Sequence, residues 1–428
     1  MLIEFSVGNY RSFKETVTFS MVAAKISAKD KKLDDQNVFQ ADERLKLLKS
    51  AAIYGANASG KSNLGKALKF MGSFISNSSK DTQETEDIPI ENFRLNTETE
   101  LKPSYFEIVF LMDGKVYRYG FEVNKKEVIS EWLFYVPTIR EVTLFQREEN
   151  IIDSKPAFKG GSKFKNNVRD NALFLSVAAQ FNIEIAKQIL IWLKNLNVVS
   201  GLNDGDMVGY TIHCLDSNKN RNQIFALIKK LDLGIDDLKI SKIEWTEETI
   251  PKDLPKEIRD RILRDGNTSG ISIGTIHRKY NSEGQQISIE TFEMDEHESE
   301  GTQKLFAMAG PIVDTLENGR ILVIDELDAR LHPLVTREII SLFNSNQTNP
   351  HNAQLIFMTH DTNILSHKFF RRDQIWFAEK DKFGATHLYS LAEYKIRNDA
   401  SFESDYIQGR YGAVPFIGDL SHLIGELV

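Results

Sequence analysis

Ala51-Ala52-Ile53-Tyr54-Gly55-Ala56-Asn57-Ala58-Ser59-Gly60-Lys61-Ser62 is the stretch on which the fold turns. A short apolar segment runs into a loop with glycine near both ends. Beyond Lys61 the apolar residues recur at helical spacing to about residue 74. Gly55 to Ser62 fits the pattern G-x-x-x-x-G-K-[ST], and the strand before it and helix after it are the context that gives the pattern meaning. In such a loop the backbone N–H groups point inward and, with the helix N-terminus behind them, form a concave anion site. Gly60 lets the backbone approach a phosphate, Lys61 reaches the outer phosphate oxygens, and the Ser62 hydroxyl is placed to ligate Mg²⁺.

Far downstream stands Ile321-Leu322-Val323-Ile324-Asp325-Glu326. Four apolar residues predict a strand buried on both faces, with two carboxylates emerging at its C-terminal edge, where ligands sit in parallel sheets. Asp325 is suited to hold Mg²⁺ through its water shell, and Glu326 to polarise an attacking water. Standing alone, such a run is an ordinary strand followed by a solvated turn; the phosphate loop upstream gives it its chemistry. The distance between Lys61 and Asp325 requires a sheet interrupted by a large insertion, in which two distant parts of the chain assemble one site.

The remaining composition is that of an ordinary globular protein: 41% hydrophobic and 27% charged residues in a chain of 428, long enough for more than one core. One cysteine, Cys214, leaves no internal disulfide framework and fits a reducing compartment. The N-terminus alternates like a strand and lacks the form of a signal peptide, and no apolar run approaches the roughly 18 residues of a membrane span. These features predict a cytoplasmic protein without a membrane segment. The net charge of −8 argues against a general nucleic-acid coat, though not against DNA in one basic groove. Lys159, Lys163, Lys165 and Arg169, with Gly160 and Gly161 among them, read either as such a contact or as a solvated loop.

Along the chain, strands open the sequence and a charged stretch follows over residues 29–44. An acidic linker spans residues 76–87. Residues 104–145 predict an antiparallel meander, with a hairpin turning at Asp113-Gly114. From residue 182 the period is helical: Ile185, Ile189, Trp192, Leu193 and Leu196 mark one face, and Ile224, Leu227, Ile228 and Leu231 another. Strands return over residues 271–280 and 286–294, after which helix and strand alternate as in a parallel sheet. The expected division is an N-terminal lobe over 1–181, a mainly helical insertion over 182–270 and a C-terminal lobe over 271–428. No heptad run supports a long coiled coil.

Several further motifs carry a resemblance. Ser299-Glu300-Gly301-Thr302-Gln303 resembles the signature motif of ABC-type ATPases, and Leu327-Asp328 resembles their D-loop. Leu355-Ile356-Phe357-Met358-Thr359-His360 is similar to the strand that ends in the switch histidine. Asn9-Tyr10-Arg11-Ser12-Phe13 is similar to the first-strand motif of RecF and SMC-like proteins. The resemblance implies an α/β, ABC-ATPase-like head of the phosphate-loop class, with an antiparallel β subdomain and a helical insertion. It implies ATP and Mg²⁺ as ligands and a Mg-dependent ATPase. Gly55, Asn57, Ser59, Gly60, Lys61, Ser62 and Asn63 would hold the nucleotide, with Arg11 beside it. Ser62 and Asp325 would hold the metal, with Lys61, Glu326 and His360 catalytic. Asp328 would also belong to the nucleotide site, and in that family two copies pair head to tail, so Ser299 and Gly301 of one copy would cap the terminal phosphate held by Lys61 of the other.

Asn171-Ala172-Leu173-Phe174-Leu175-Ser176 through Gln180-Phe181-Asn182, and the tail from Tyr406 to Pro415, resemble single-chain ATPases related to OLD nucleases, found in bacterial antiphage systems such as the PARIS-type pairs. That branch implies a nucleotide-gated sensor, in a homodimer or larger homo-oligomer, that controls a separately encoded effector. The alternative reading is a RecF/SMC-like DNA-binding ATPase in repair or maintenance. A nuclease reading lacks its chemistry: no paired-aspartate motif follows His360, and Asp204-Gly205-Asp206 reads as a polar turn. The acidic run from Glu293 to Glu300 reads as a solvated approach to the signature helix.

Overall fold

Strand Ser50–Tyr54 is buried at all five positions, as its small and apolar side chains allow, and a parallel sheet grows on both sides of it. The computed structural model describes every residue except 81–82, 84, 138–139, 232–233, 248–249, 251–255, 265–268, 398–399, 416–417 and 419–428. In order, this sheet contains Leu196–Ser200, Ile321–Asp325, Gln354–Met358, Ser50–Tyr54, Ile375–Lys380 and Thr386–Ser390. The first five run parallel and the last pairs antiparallel to its neighbour. The helix Lys61–Asn77 packs Leu64, Ala67, Leu68, Met71, Phe74 and Ile75 into the core, a three-four spacing that lines one face. Each large apolar side chain so buried contributes about 1.5–3 kcal/mol.

A second, seven-stranded sheet is antiparallel throughout. Its meander, Ser104–Met112, Lys115–Val123, Val128–Val136 and Val142–Glu148, is extended by Ile151–Ser154 at one edge and by Leu2–Gly8 and Val17–Ser20 at the other. Asp113 and Gly114 both take positive φ, 49° and 71°, which is the backbone a two-residue hairpin turn demands. The turn pairs Met112 with Lys115 and fixes the register of the whole hairpin. Asn171-Ala172-Leu173-Phe174-Leu175-Ser176 is buried: Asn171 donates to the carbonyls of Gln83 and Glu86, and Ser176 bonds Ser79 at 2.7 Å. The segment thereby ties the chain after the phosphate-loop helix to the meander.

These sheets belong to one compact unit, residues 1–202, 315–329 and 336–428; a second unit comprises residues 203–314 and 330–335. This partition differs from the expected division at 181/182 and 270/271. Residues 182–202 join the first unit because Leu196–Ser200 is a strand of the central sheet, not a continuation of the helix Glu184–Leu193. Its Leu-Asn-Val-Val core favours extended backbone, and pairing with Ile321–Asp325 decides the matter. Residues 29–44 are likewise not a plain loop: Asp30 caps the helix Lys31–Gln36, and Val38–Gln40 pairs with Lys46–Leu48. The phosphate-loop helix runs past residue 74 into the expected linker, of which 81–82 and 84 lie outside the described residues.

The second unit holds the helices Gly205–Asp216 and Arg221–Lys230 and an antiparallel sheet ordered Asp237–Glu244, Ser269–Tyr280, Gln286–Glu293. Asp204-Gly205-Asp206 therefore starts a helix where a turn was expected. The boundary at residue 270 falls inside the strand Ser269–Tyr280. Leu215, Ile224, Ile228, Ile273, Met294 and Phe306 pack its core. Helix Glu300–Asn318 contains Pro311, which has no N–H for the Ala307 carbonyl one turn back. The buried Thr211 hydroxyl donates to that carbonyl at 2.8 Å and accepts from the Gly310 N–H at 3.0 Å. Thr211→Val keeps the shape and orphans both groups, so about 1–3 kcal/mol of stability is expected to be lost. Urea unfolding checks this; an unchanged midpoint would mean the helix satisfies itself.

Candidate functional site

Three adjacent parallel strands end side by side at one edge of the central sheet. Ile321–Asp325 delivers Asp325 and Glu326, Gln354–Met358 leads to Thr359 and His360, and Ser50–Tyr54 leads to Gly55. The turns are stitched together by backbone bonds: Leu327 N–H donates to Met358 O, and Thr359 N–H to Ile53 O, both at 3.2 Å. Glu326 holds φ at +58°, an uncommon conformation for a residue with a side chain and a cost that functional turns accept. Gly201, at the end of the neighbouring strand, donates to Asp325 O at 2.6 Å. A Cβ there would stand 2.1 Å from the Glu326 carbonyl oxygen, so only glycine permits this approach.

The phosphate loop is fixed by close fits. A Cβ at Gly55 would meet Ala378 O at 2.3 Å, and one at Gly60, whose φ is +102°, would meet Thr386 Oγ1 at 2.2 Å and Ser12 Oγ at 2.6 Å. Thr386 Oγ1 donates to Ser59 O at 2.7 Å and bonds Ser12 Oγ at 2.8 Å, while Asn63 Nδ2 donates to Ser12 Oγ at 2.7 Å. The N-terminal turn and the edge hairpin therefore clamp the loop from outside it. Ser59 is buried and Asn57 exposed, while Ser62 opens the helix beside Lys61.

Lys61 is buried and donates to the carbonyls of Gly55 at 2.7 Å and Ala56 at 3.0 Å. Burial lowers its ammonium to about 8, against the pull of Asp325, Glu326 and Asp328, which favour the charged form. Burial, followed by the Lys61 cation, also pushes His360 below the usual imidazole value, while the same three carboxylates pull the other way. Lys61, Asp325, Glu326, Asp328 and His360 thus share one electrostatic site. Asp325 Oδ1 and Asp328 Oδ1 are buried with no hydrogen-bond partner among the described residues. An orphaned carboxylate oxygen facing a lysine and a phosphate loop suits a hydrated divalent cation, so the residues present fit Mg²⁺.

Arg11 and the Ser299–Gly301 segment make contacts of their own. Arg11, at φ +50°, donates through its backbone to Glu91 O at 2.8 Å and through its guanidinium to the Glu91 carboxylate. The residue of that turn in contact with the phosphate loop is Ser12. Ser299 and Gly301 belong to the second unit. There Ser299 Oγ accepts from Thr302 N–H at 3.2 Å, capping helix Glu300–Asn318. Gly301 lies against the Arg330 carbonyl, 2.9 Å from where a Cβ would be, and Asp204 engages both Arg330 and the buried Lys304. The tail is folded onto the edge hairpin of the central sheet. Tyr406 stacks on Phe377 at 5.4 Å and lies 5.9 Å from Tyr54, and Thr362, two residues beyond His360, donates to Glu403 at 3.3 Å.

Gly201 and Thr386 carry no sequence signal, and Ser12, although it lies in the motif around Arg11, is not marked there as a clamp on the phosphate loop. Each acts through a partner far away in the chain, and no local pattern distinguishes a clamping serine, threonine or glycine from any other.

Fold and site together define a phosphate-loop protein built on a mainly parallel α/β sheet. Residues 50–366 match the family model described as "AAA domain, putative AbiEii toxin, Type IV TA system", and the chain belongs to that family. Among solved structures it is similar to an SMC head domain from Thermotoga maritima, at 12% identity and a TM-score of 0.41, over 91% of this chain and 98% of that one. It is also similar to the recombination mediator protein RecF, at 12% identity and a TM-score of 0.34, over the same shares. No curated protein matches the sequence. No single helix among the described residues is long and apolar enough to cross a membrane.

Proposed function

We propose that this chain binds and hydrolyses ATP as an ABC-type ATPase, and that ATP-dependent pairing of two copies gates a separately encoded effector in antiphage defence. The observation that carries the ATPase reading is the convergence of Lys61, Asp325, Glu326, Asp328 and His360 on one sheet edge behind the phosphate loop. The loop N–H groups and Lys61 would take the phosphates, with Gly55, Asn57, Ser59, Gly60 and Asn63 shaping and holding the loop. Ser62 and Asp325 would hold Mg²⁺, which supplies charge neutralisation on the phosphate oxygens when bound. The Glu326 carboxylate would orient the attacking water and accept its proton. His360, whose imidazole burial shifts toward the neutral form, would offer a hydrogen bond to the terminal phosphate. Arg11 reaches a nucleotide only by exchanging Glu91 for phosphate, an exchange that a solvent-accessible ion pair permits at small cost.

Ser299 and Gly301, at the N-terminus of a long helix, would cap the terminal phosphate bound by another copy. ATP then joins the two copies and hydrolysis releases them, so the output is association rather than a chemical product. The effector role rests on resemblance to antiphage ATPases, and the membership shown above is compatible with it. Purified protein is expected to hydrolyse ATP slowly, and Lys61→Ala to abolish nucleotide binding. Light scattering with ATP should show dimers for Glu326→Gln and monomers for Ser299→Arg. The same mass for both, with and without ATP, would overturn the pairing.

The buried lysine gives this reading a pH signature. Burial lowers the Lys61 ammonium to about 8, and phosphate binding requires the cation. Above that pH, binding must take up a proton. ATP affinity is therefore expected to fall between pH 7 and 9, approaching about tenfold per pH unit beyond 8. Calorimetry in buffers of different ionisation enthalpy measures the uptake directly; affinity that stays flat across this range would remove Lys61 from the phosphates.

A further inference from the structure

In a chain of net charge −8, residues 155–169 hold Lys155, Lys159, Lys163, Lys165 and Arg169 and no acidic residue. Two of these cations are already engaged. Lys155 pairs with Asp153 at 2.6 Å, and the Arg169 guanidinium donates to the carbonyls of Ser78 and Ser79. Lys159, Lys163 and Lys165 are exposed and have no carboxylate partner among the described residues. Lys163 and Lys165 sit on two tight turns, Gly161–Lys163 and Lys165–Asn167, and Lys159 immediately precedes Gly160, whose φ of +85° starts the first of them. Like charges clustered within residues 159–165 repel one another, and an anion across them relieves that repulsion.

A second observation narrows the anion. Phe164 lies between Lys163 and Lys165 and packs against the core of the first unit. Phe181, at the end of helix Phe174–Gln180, stacks on it with ring centroids 4.2 Å apart and planes within 5°. Phe181 is nevertheless 48% exposed. An aromatic ring immobilised by a stacked neighbour and left open to solvent, where that neighbour is itself flanked in sequence by Lys163 and Lys165, combines the two elements that bind unpaired nucleic-acid strands. Phosphates meet the lysines, and a base stacks on the ring at little entropic cost. An acidic protein segment would use the lysines alone, and a duplex keeps its bases stacked inside.

We propose that Lys159, Lys163, Lys165 and the Phe164–Phe181 stack form a surface for single-stranded nucleic acid. The inference is independent of the nucleotide site and stands or falls separately from it.

Fluorescence anisotropy with labelled dT20 tests it on the full chain. Wild-type protein is expected to bind, with log affinity falling against log salt at a slope of about −2 for three phosphate contacts on a single strand. Lys159→Glu, Lys163→Glu and Lys165→Glu combined should cost tenfold or more. Phe181→Ala should cost about fivefold or more, with recovery in Phe181→Trp. Unchanged ATP binding in each variant verifies folding. No dT20 binding at 50 mM salt would overturn the proposal. So would affinity indifferent to Phe181 and matched by inorganic polyphosphate, which would make this a surface for polyanions or acidic proteins only.

Discussion

Glu326→Gln is expected to lower the rate of ATP hydrolysis by about 10²–10⁴-fold, the range that a positioned general base contributes, while ATP binding stays within a few-fold. The amide matches the carboxylate in shape, so the turn at φ +58° and its packing against Gly201 are preserved. What disappears is the group able to accept the proton of water. Single-turnover hydrolysis and equilibrium nucleotide binding on the same sample separate the two effects. If hydrolysis continued undiminished, Glu326 would be a structural turn residue and the general base would lie elsewhere. If binding were lost with hydrolysis, the substitution would have disturbed the neighbouring strand ends, and Gly201→Ala would be expected to show the same phenotype.

Glu131→Ala should cost about 3–5 kcal/mol of stability, the loss expected when one member of a buried charged network is removed. Glu131 is fully buried and accepts from Tyr119 Oη at 2.9 Å and from the N–H groups of Phe174 and Leu175 at 2.7 and 3.0 Å. Burial pushes its carboxyl up, and the nearby Arg147 cation together with these donors pulls it back. Arg147 is itself 1% exposed, with its guanidinium held by the carbonyls of Glu149, Ala172 and Asp170. Alanine would leave two helix N–H groups and a phenol without an acceptor, and would remove the carboxylate that acts most strongly on the buried Arg147 cation, ahead of Asp170 and Glu127. Urea unfolding followed by tryptophan fluorescence measures the loss, and Glu131→Gln, which keeps one acceptor oxygen, should lose less. A shift under about 1 kcal/mol would show that water enters and replaces the carboxylate.

The network around Glu131 illustrates how differently the two halves of the protein could be read. The meander was legible because its evidence is local: an Asp-Gly turn between apolar runs fixes both conformation and register. Lys61, Asp325, Glu326 and His360 were legible for a related reason. A glycine-rich loop and apolar runs ending in polar residues are short patterns, and a parallel sheet automatically aligns their ends. Leu196–Ser200 was hidden by its neighbour: the helix before it ends without a strong break, and four apolar-rich residues fit either periodicity. Arg11 was legible as a motif but not as a contact, because Glu91 lies in a segment that no pattern near residue 11 identifies.

By itself, then, the sequence determined the short patterns available to this protein: a glycine-rich loop of the phosphate-loop pattern, two carboxylates at the end of one apolar run, a histidine at the end of another and a second helix opened by Ser299-Glu300-Gly301. These depend on residues adjacent in the chain, whose local conformations are set by sterics and hydrogen bonding within a few positions. Only the tertiary structure decided which distant residues hold the site in place. Ser12, Thr386 and Gly201 reach the phosphate loop or the Asp325–Glu326 turn by strand register and close approach, quantities fixed by packing across the sheet rather than by any short stretch of sequence.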